Sequence, residues 1–292
     1  MTGTWVAIKE RFADLVDACR TGVPLDGPWT AFADVARATE SEPPEHLWLA
    51  LPELRRLEQA RGGRDAIVIL DHGTGTAINI LYLAALGYTN VWGANVVEKA
   101  QAQNRVFREV LGLTEDRIFI YDGAVLPLDD DSVDLVLSQQ VVEHVPDAVL
   151  DTYYAEEGRI LRSGGVALHQ VPHRWMPYDG HTRTWFMTFL PKGLRNAVWP
   201  RLAANPEQIG TYLFLRDRAD HFDRLERYIG ATNDHSLSRI DSLRTGRDRE
   251  GGGLSRTLRK LLGTMMSIPL IGRVLRAAIR PISMLETVSV KR

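Results

Sequence analysis

A single cysteine in 292 residues, Cys19, rules out an intrachain disulfide and any small scaffold held by one. Long apolar runs are also missing. A membrane-spanning helix needs ~20 apolar residues, and the longest charge-free stretch near the C-terminus, Leu261 to Gly272, is shorter and contains Pro269. No secretory leader is expected, because Lys9, Glu10 and Arg11 precede any apolar segment of useful length. A cytoplasmic protein is therefore the default expectation, with peripheral attachment to the inner face of a membrane as a variant of it. Net charge is only −2, so the chain as a whole does not attract nucleic acid. The charge is unevenly placed, however. Residues 239–292 hold 12 of the 35 Lys+Arg and 4 of the 37 Asp+Glu, which is +8 against −10 elsewhere. Such an asymmetry points to a basic C-terminal region with a partner of its own.

What is present reads as a globular α/β chain. Trp5, Ile8, Phe12, Leu15 and Cys19 recur at steps of three and four and share one helix face. Further helices are predicted over Trp29–Ala38 and Pro44–Ala60, the latter with Pro52 placed to kink it. Residues 1–62 thus form an N-terminal helical cap. From residue 66 strands and helices alternate. Strands are predicted at Ala66–Leu70, Asn90–Ala94, Arg117–Tyr121, Val133–Ser138 and Val166–Gln170, and helices at Ala77–Leu86, Val97–Leu111 and Asp151–Leu161. Short unbroken apolar strands alternating with helices imply βαβ units and a parallel sheet covered on both faces. Further on, a helix over His221–Tyr228, a strand over Ser236–Leu243 and a last strand over Glu286–Lys291 complete the pattern. The expected fold is a doubly wound, mostly parallel seven-stranded sheet: core domain 63–250, amphipathic helical insertion 251–282, final sheet strand 283–292.

Asp71-His72-Gly73-Thr74-Gly75 falls between the first strand and the first helix of this core. Ligands of open parallel sheets sit beyond the carboxyl ends of the strands, where glycines let the backbone approach them. A dinucleotide fingerprint would need a third glycine where Ile78 stands, which disfavours a nicotinamide oxidoreductase. An acid followed by G-x-G resembles motif I of the class I S-adenosylmethionine-dependent methyltransferases, with Ala77 in place of a frequent third glycine. Other segments resemble that family in order: Tyr121-Asp122-Gly123 after strand three, Leu126-Pro127-Leu128 through Ser132-Val133-Asp134 into strand four, Val142-Glu143-His144-Val145 after it, and Arg159-Ile160-Leu161-Arg162-Ser163-Gly164-Gly165 before strand five.

The resemblance implies a Rossmann-like methyltransferase fold and S-adenosylmethionine as cofactor, held by Asp71, His72, Gly73, Thr74, Gly75, Asn95, Val96, Asp122, Gly123, Ala124 and Gln139. Asp71 would take the methionine ammonium and Asp122 would lie near the adenine. Asn95 departs from the family, which usually has an acid for the ribose hydroxyls. An amide lacks the charge-assisted bond, so either cofactor binding is weaker or Glu98 takes over.

The cofactor carries the reactivity in methyl transfer, and the protein must orient the acceptor and, for a hydroxyl, take its proton. His144 is the first candidate base, with Glu143 to orient it and His173 and His181 as further catalytic candidates. The last two lie in Val171–Arg183, a segment mixing aromatics, His and Arg in a way that suits a polar, ring-bearing acceptor. No metal is expected, since Gln140 replaces a carboxylate found in metal-using relatives and no close His pair is evident. The expected reaction is methylation of an oxygen on a small or lipid-linked metabolite. The alternatives are N- or C-methylation and a non-catalytic cofactor-binding paralogue.

In the basic region, Leu254, Leu258, Leu261, Leu262 and Met265 share a helix face, and Ser267 is placed to cap a second helix beginning near Pro269. There Arg273, Arg276 and Arg280 run at steps of three and four, away from Leu270, Ile271 and Val274. Residues 254–280 therefore suit either peripheral membrane contact or packing on protein.

Overall fold

Ile69, Leu70, Asp71 and His72 are all buried, and the strand they form, β1 (Ile69–His72), has parallel partners on both edges in the computed structural model, which describes residues 4–209, 211–238, 241 and 256–292. On one side lies β2 (Val91–Asn95), with Asp71 opposite Gly93, followed by β3 (Ile118–Ile120). On the other lies β4 (Val133–Gln139), with Asp71 opposite Leu137. With β5 (Leu161–Val171), β8 (Gly230–Asp234) and β9 (Leu285–Lys291), the sheet runs β3-β2-β1-β4-β5-β9-β8. The expected seven-stranded, doubly wound sheet is present. Strand order reverses between β1 and β4, so Asp71 stands at the switch point where such sheets bind ligands. A separate antiparallel ribbon joins β6 (Tyr178–Asp179) to β7 (Thr184–Trp185).

The chain divides into two compact units, Met1–Gln139 with Ala155–Leu168 and Val290–Arg292, and Gln140–Tyr154 with His169–Ser289. In the first unit α1 (Thr4–Thr21) buries Ile8, Phe12, Leu15 and Cys19, the face its spacing predicts, and packs on α2 (Asp26–Ala38). The third predicted helix starts later, as α3 (Ala50–Arg61), after a 3-10 turn at Glu45–Leu47. Pro52 therefore lies in the first turn, where an amide proton has no helical partner, and it does not kink the helix. Next comes α4 (Ile78–Ala85), as expected. The predicted helix over Val97–Leu111 starts only at Gln101 and is irregular, a 3-10 turn, Gln101–Gln103, running through 104–105 into a π turn, Val106–Val110. Asn104 between them accepts from the amides of Arg117 and Ile118 and donates to the Ile118 carbonyl at 2.8–2.9 Å, pinning the segment to β3 at the expense of helical regularity.

α5 (Leu150–Ile160) follows β4 in the chain. The second unit contains α6 (Lys192–Leu202), α7 (Arg218–Tyr228), α8 (Arg256–Ser267) and α9 (Pro269–Ile279). The strand expected over Ser236–Leu243 is displaced to Gly230–Asp234. The Asp234 carboxylate accepts from the Ser236 amide and hydroxyl at 2.9 and 2.6 Å and closes the strand in a turn. Positions 239, 240, 242 and 243 of the expected strand lie outside the described residues, as do Leu254 and the domain boundary at 250/251. Ser267 is the last residue of α8, its hydroxyl donating to the Gly263 carbonyl at 2.9 Å, so α9 starts on Pro269 without the expected cap.

Candidate active site

In the first unit the glycine turn has the backbone its sequence calls for. Gly73 (φ 84°), Gly75 (φ 54°) and Gly123 (φ 81°) occupy the left-handed region. Ala77 does so too, at φ 66°, although a glycine would sit there without strain. The turn is laced to β2: the Gly73 and Thr74 amides donate to the Ala94 carbonyl at 2.8 and 3.1 Å. Thr74 in turn donates its hydroxyl to Asp71 at 2.9 Å. That placement depends on Gly93, where a Cβ would lie 2.7 Å from the Thr74 methyl.

Asp71 is 2% exposed, and burial pushes its carboxyl up to about 6, against hydrogen bonds from Thr74 and Asn79 that pull it down. Both of those partners are neutral. A buried carboxylate with no cation among these partners fits an incoming ammonium. Asn79 extends the network, its amide donating to Gln139 at 3.2 Å and its oxygen bonding His46 Nε2 at 2.9 Å, while Gln139 donates to the His46 carbonyl. Gln139, expected at the cofactor, thus spends its side chain on holding the N-terminal cap. The His72 imidazole, 1% exposed, lies between Glu157 (2.8 Å) and the Tyr121 hydroxyl (2.6 Å), which leaves its backbone as the part able to face a ligand.

Asn95 is likewise committed. Its oxygen accepts from the Gly75 amide at 3.0 Å and its amide donates to the Gly75 carbonyl at 3.1 Å. The Lys99 ammonium lies 3.9 Å from where a Cβ on Gly75 would be. Val96 is well exposed and reaches within 3.5 Å of the Cβ position of Gly123. Asp122 uses one oxygen on the Ala124 and Val125 amides (2.8 and 3.1 Å), and these bonds hold its carboxyl below the usual range.

Of the three candidate imidazoles, His144, His173 and His181, the second unit brings two together. The rings of His144 and His181 meet edge-on at 4.8 Å, and one ligand-type atom from each, with one from Glu143, lie within 4.8 Å of one another. His144 donates through Nδ1 to the Tyr212 carbonyl. His181 is presented by a turn in which Asp179 accepts from the His181 and Thr182 amides (2.7 and 3.1 Å) and faces His181 Nδ1 at 3.5 Å. The bond to Asp179 raises the His181 pKa. Glu143 is 1% exposed with neither carboxylate oxygen hydrogen-bonded, and burial pushes it up to about 7, opposed by His181 and Arg216.

His173 does not join this group. Its Nε2 bonds the Ser283 carbonyl at 2.7 Å, its Nδ1 receives the Trp175 amide at 3.3 Å, and burial lowers its pKa, the profile of a structural histidine. His169 packs between the rings of Tyr154 and His221.

Sequence reading missed Arg216, which holds the loop carrying Glu143 and His144. It is 5% exposed and donates to the Val142 carbonyl (2.8 Å), the Val145 carbonyl and Asp147 (2.6 Å). Nearby, the Phe214 amide donates to the Glu143 carbonyl at 2.7 Å. Its targets are mostly backbone oxygens, which leave no pattern in a sequence.

Residues 70–169 match the family profile described as a methyltransferase domain. No curated protein sequence matches the chain. Similar solved structures include an S-adenosylmethionine-dependent methyltransferase from Mesorhizobium loti (17% identity, covering 85% of this chain and 98% of the other, TM-score 0.45). Others are phosphoethanolamine N-methyltransferase 2 of Haemonchus contortus (17%, 82% and 52%, 0.45) and geranyl diphosphate C-methyltransferase of Streptomyces coelicolor (13%, 89% and 84%, 0.46). Residues 70–169 thus carry a methyltransferase domain, the stretch whose motifs resemble those of the class I S-adenosylmethionine-dependent methyltransferases.

Proposed function

We propose that the protein methylates an oxygen of a small or lipid-linked acceptor. When bound, the cofactor would supply an electrophilic methyl on a sulfonium, with a neutral thioether as leaving group. Asp71 receives the ammonium of its methionine portion, and Gly73, Gly75, Asp122 and Gly123 accommodate the rest. On the acceptor side His144 takes the proton of the acceptor hydroxyl. His181, raised in basicity by Asp179, stands beside it to share that proton.

The observation that carries this reading is Glu143, a buried carboxyl with both oxygens unpartnered beside two imidazoles. It can stabilise an imidazolium formed next to it, and a spectator in that position would cost stability without return. Trp175, Tyr178, Trp185, Phe186 and Phe189 form a half-exposed chain of ring contacts in the same unit and the same stretch of chain as His181, which suits an acceptor with an apolar or ring-shaped part.

The test is product formation from S-adenosylmethionine with hydroxyl, amine and activated-carbon acceptors. O-methyl product is expected, with turnover in His144→Ala falling about a hundredfold or more and cofactor affinity unchanged. An N- or C-methyl product, or full activity in that variant, would overturn the assignment of the base.

A further inference from the structure

Between Gly251 and Leu285 the chain has six basic residues (Arg256, Arg259, Lys260, Arg273, Arg276, Arg280) and no acidic one. Most of this segment is the α8–α9 hairpin, whose two helices pack on each other across a corner made by Ile268. The corner is tightly built. Gly272 is buried, and a Cβ there would lie 2.4 Å from the Met266 carbonyl oxygen, so only glycine permits this crossing. Met266 is itself buried.

Among the described residues, the outward side of the hairpin at its corner and along α9 carries an apolar stripe, the reverse of what a helix facing water presents. Leu270 is 73% exposed, Val274 62% and Leu261 54%, with Ile268 and Ile271 also open. Leu270 and Val274, four apart, continue through the exposed Ala277 and Ala278 as one stripe along α9. On a neighbouring face Arg276 pairs with Asp241 (2.6 and 2.9 Å) and Arg280 with Asp234 (2.8 Å), anchoring the helix to its own unit, while Arg273 is exposed.

We propose that this hairpin docks the protein on an anionic lipid surface, with the stripe Leu261, Ile268, Leu270, Ile271 and Val274 entering the acyl–headgroup boundary and Arg273 at its rim meeting the headgroups. Charge selects the occupant. A second copy would bring the same acid-free, basic segment to the contact, whereas an anionic bilayer complements it and also accepts the aliphatic stripe. Docking of this kind does not depend on which atom the enzyme methylates.

The experiment is co-sedimentation of the full chain with vesicles of phosphatidylcholine alone and with about 30% phosphatidylserine. Binding to the mixed vesicles is expected, falling sharply as salt is raised. Arg273→Gln should weaken it about fivefold, the effect of one cation near a charged surface. Leu270→Glu with Val274→Glu should weaken it tenfold or more, since two aliphatic side chains no longer leave water. Both changes lie on solvent-exposed positions, and an unaltered melting temperature would confirm the fold. Equal binding to neutral and anionic vesicles, binding that survives the double substitution, or no binding at all would overturn the proposal. So would a dimer in light scattering that the double substitution dissolves, because the stripe would then be a self-association surface.

Discussion

Asn95 holds Gly75 by both of its backbone polar groups, accepting from the amide at 3.0 Å and donating to the carbonyl at 3.1 Å. The family's usual acid could not do this, because a carboxylate accepts but has no proton to donate to a carbonyl. The amide is thus a clasp on the glycine turn, and its cost is the charged bond an acid would offer to ribose. Asn95→Asp should break one bond and set a charged oxygen against the Gly75 carbonyl. We expect a loss of about 1–3 kcal/mol in unfolding free energy and no gain in cofactor affinity by calorimetry. Cofactor binding tightened tenfold with an unchanged melting temperature would show that this side chain faces the ribose instead.

With Asp71 as the proposed ammonium partner, cofactor binding should depend on pH. Burial raises its carboxyl to about 6 in the ligand-free protein, and an ammonium requires the ionised form. Affinity for S-adenosylmethionine should therefore be level above about pH 6.5 and fall roughly tenfold per unit below pH 6. Stability of the ligand-free protein runs the other way. A carboxyl raised above its unfolded value stabilises the fold at low pH, and that contribution fades as pH rises from about 4 through 6. Calorimetry between pH 5 and 8 checks the first point. An affinity independent of pH across that range would separate Asp71 from the ammonium.

Arg216 should act on turnover without touching the cofactor. It donates to two carbonyls and a carboxylate around Glu143 and His144, and a lysine ammonium cannot span that set from one point. Arg216→Ala is expected to lower stability by about 2–4 kcal/mol and kcat more than tenfold, with cofactor affinity within about twofold. Arg216→Lys should recover part of the stability and little of the turnover. A purely structural arginine would show stability and turnover rising together in the lysine variant.

The centre of the sheet was legible because strands buried on both faces have to be largely apolar, and β1, β2 and β4 are written that way. The Asp71–Gly75 turn was legible for a related reason, since close approach of backbone to ligand restricts residue type. The second unit is different. His173 and His181 lie eight residues apart in one segment and read alike, yet one is taken by the Ser283 carbonyl and the other is held by Asp179. Which of the two imidazoles has its Nε2 committed is decided by a backbone oxygen 110 residues away. The π turn at Val106–Val110 was hidden similarly, because what breaks the helix is the bonding of Asn104 to β3 rather than any apolar spacing.

Glu143 offers the sharpest separation of a working group from a structural one. Burial lifts its carboxyl from 4.5 to about 7, so folding favours its protonated form. Its contribution to stability is then complete below about pH 4.5 and lost as pH rises through 7. Glu143→Gln keeps the shape and removes the charge. The variant should melt at a similar temperature to the parent at pH 5 and several degrees higher at pH 8, where the parent buries an ionised group without a hydrogen bond. Turnover should fall at pH 8 by about tenfold or more if the carboxylate stabilises an imidazolium at His144 or His181. A variant that is more stable and fully active at pH 8 would make Glu143 a bystander, while one less stable at both pH values would mean that the carboxyl is bonded in the native protein.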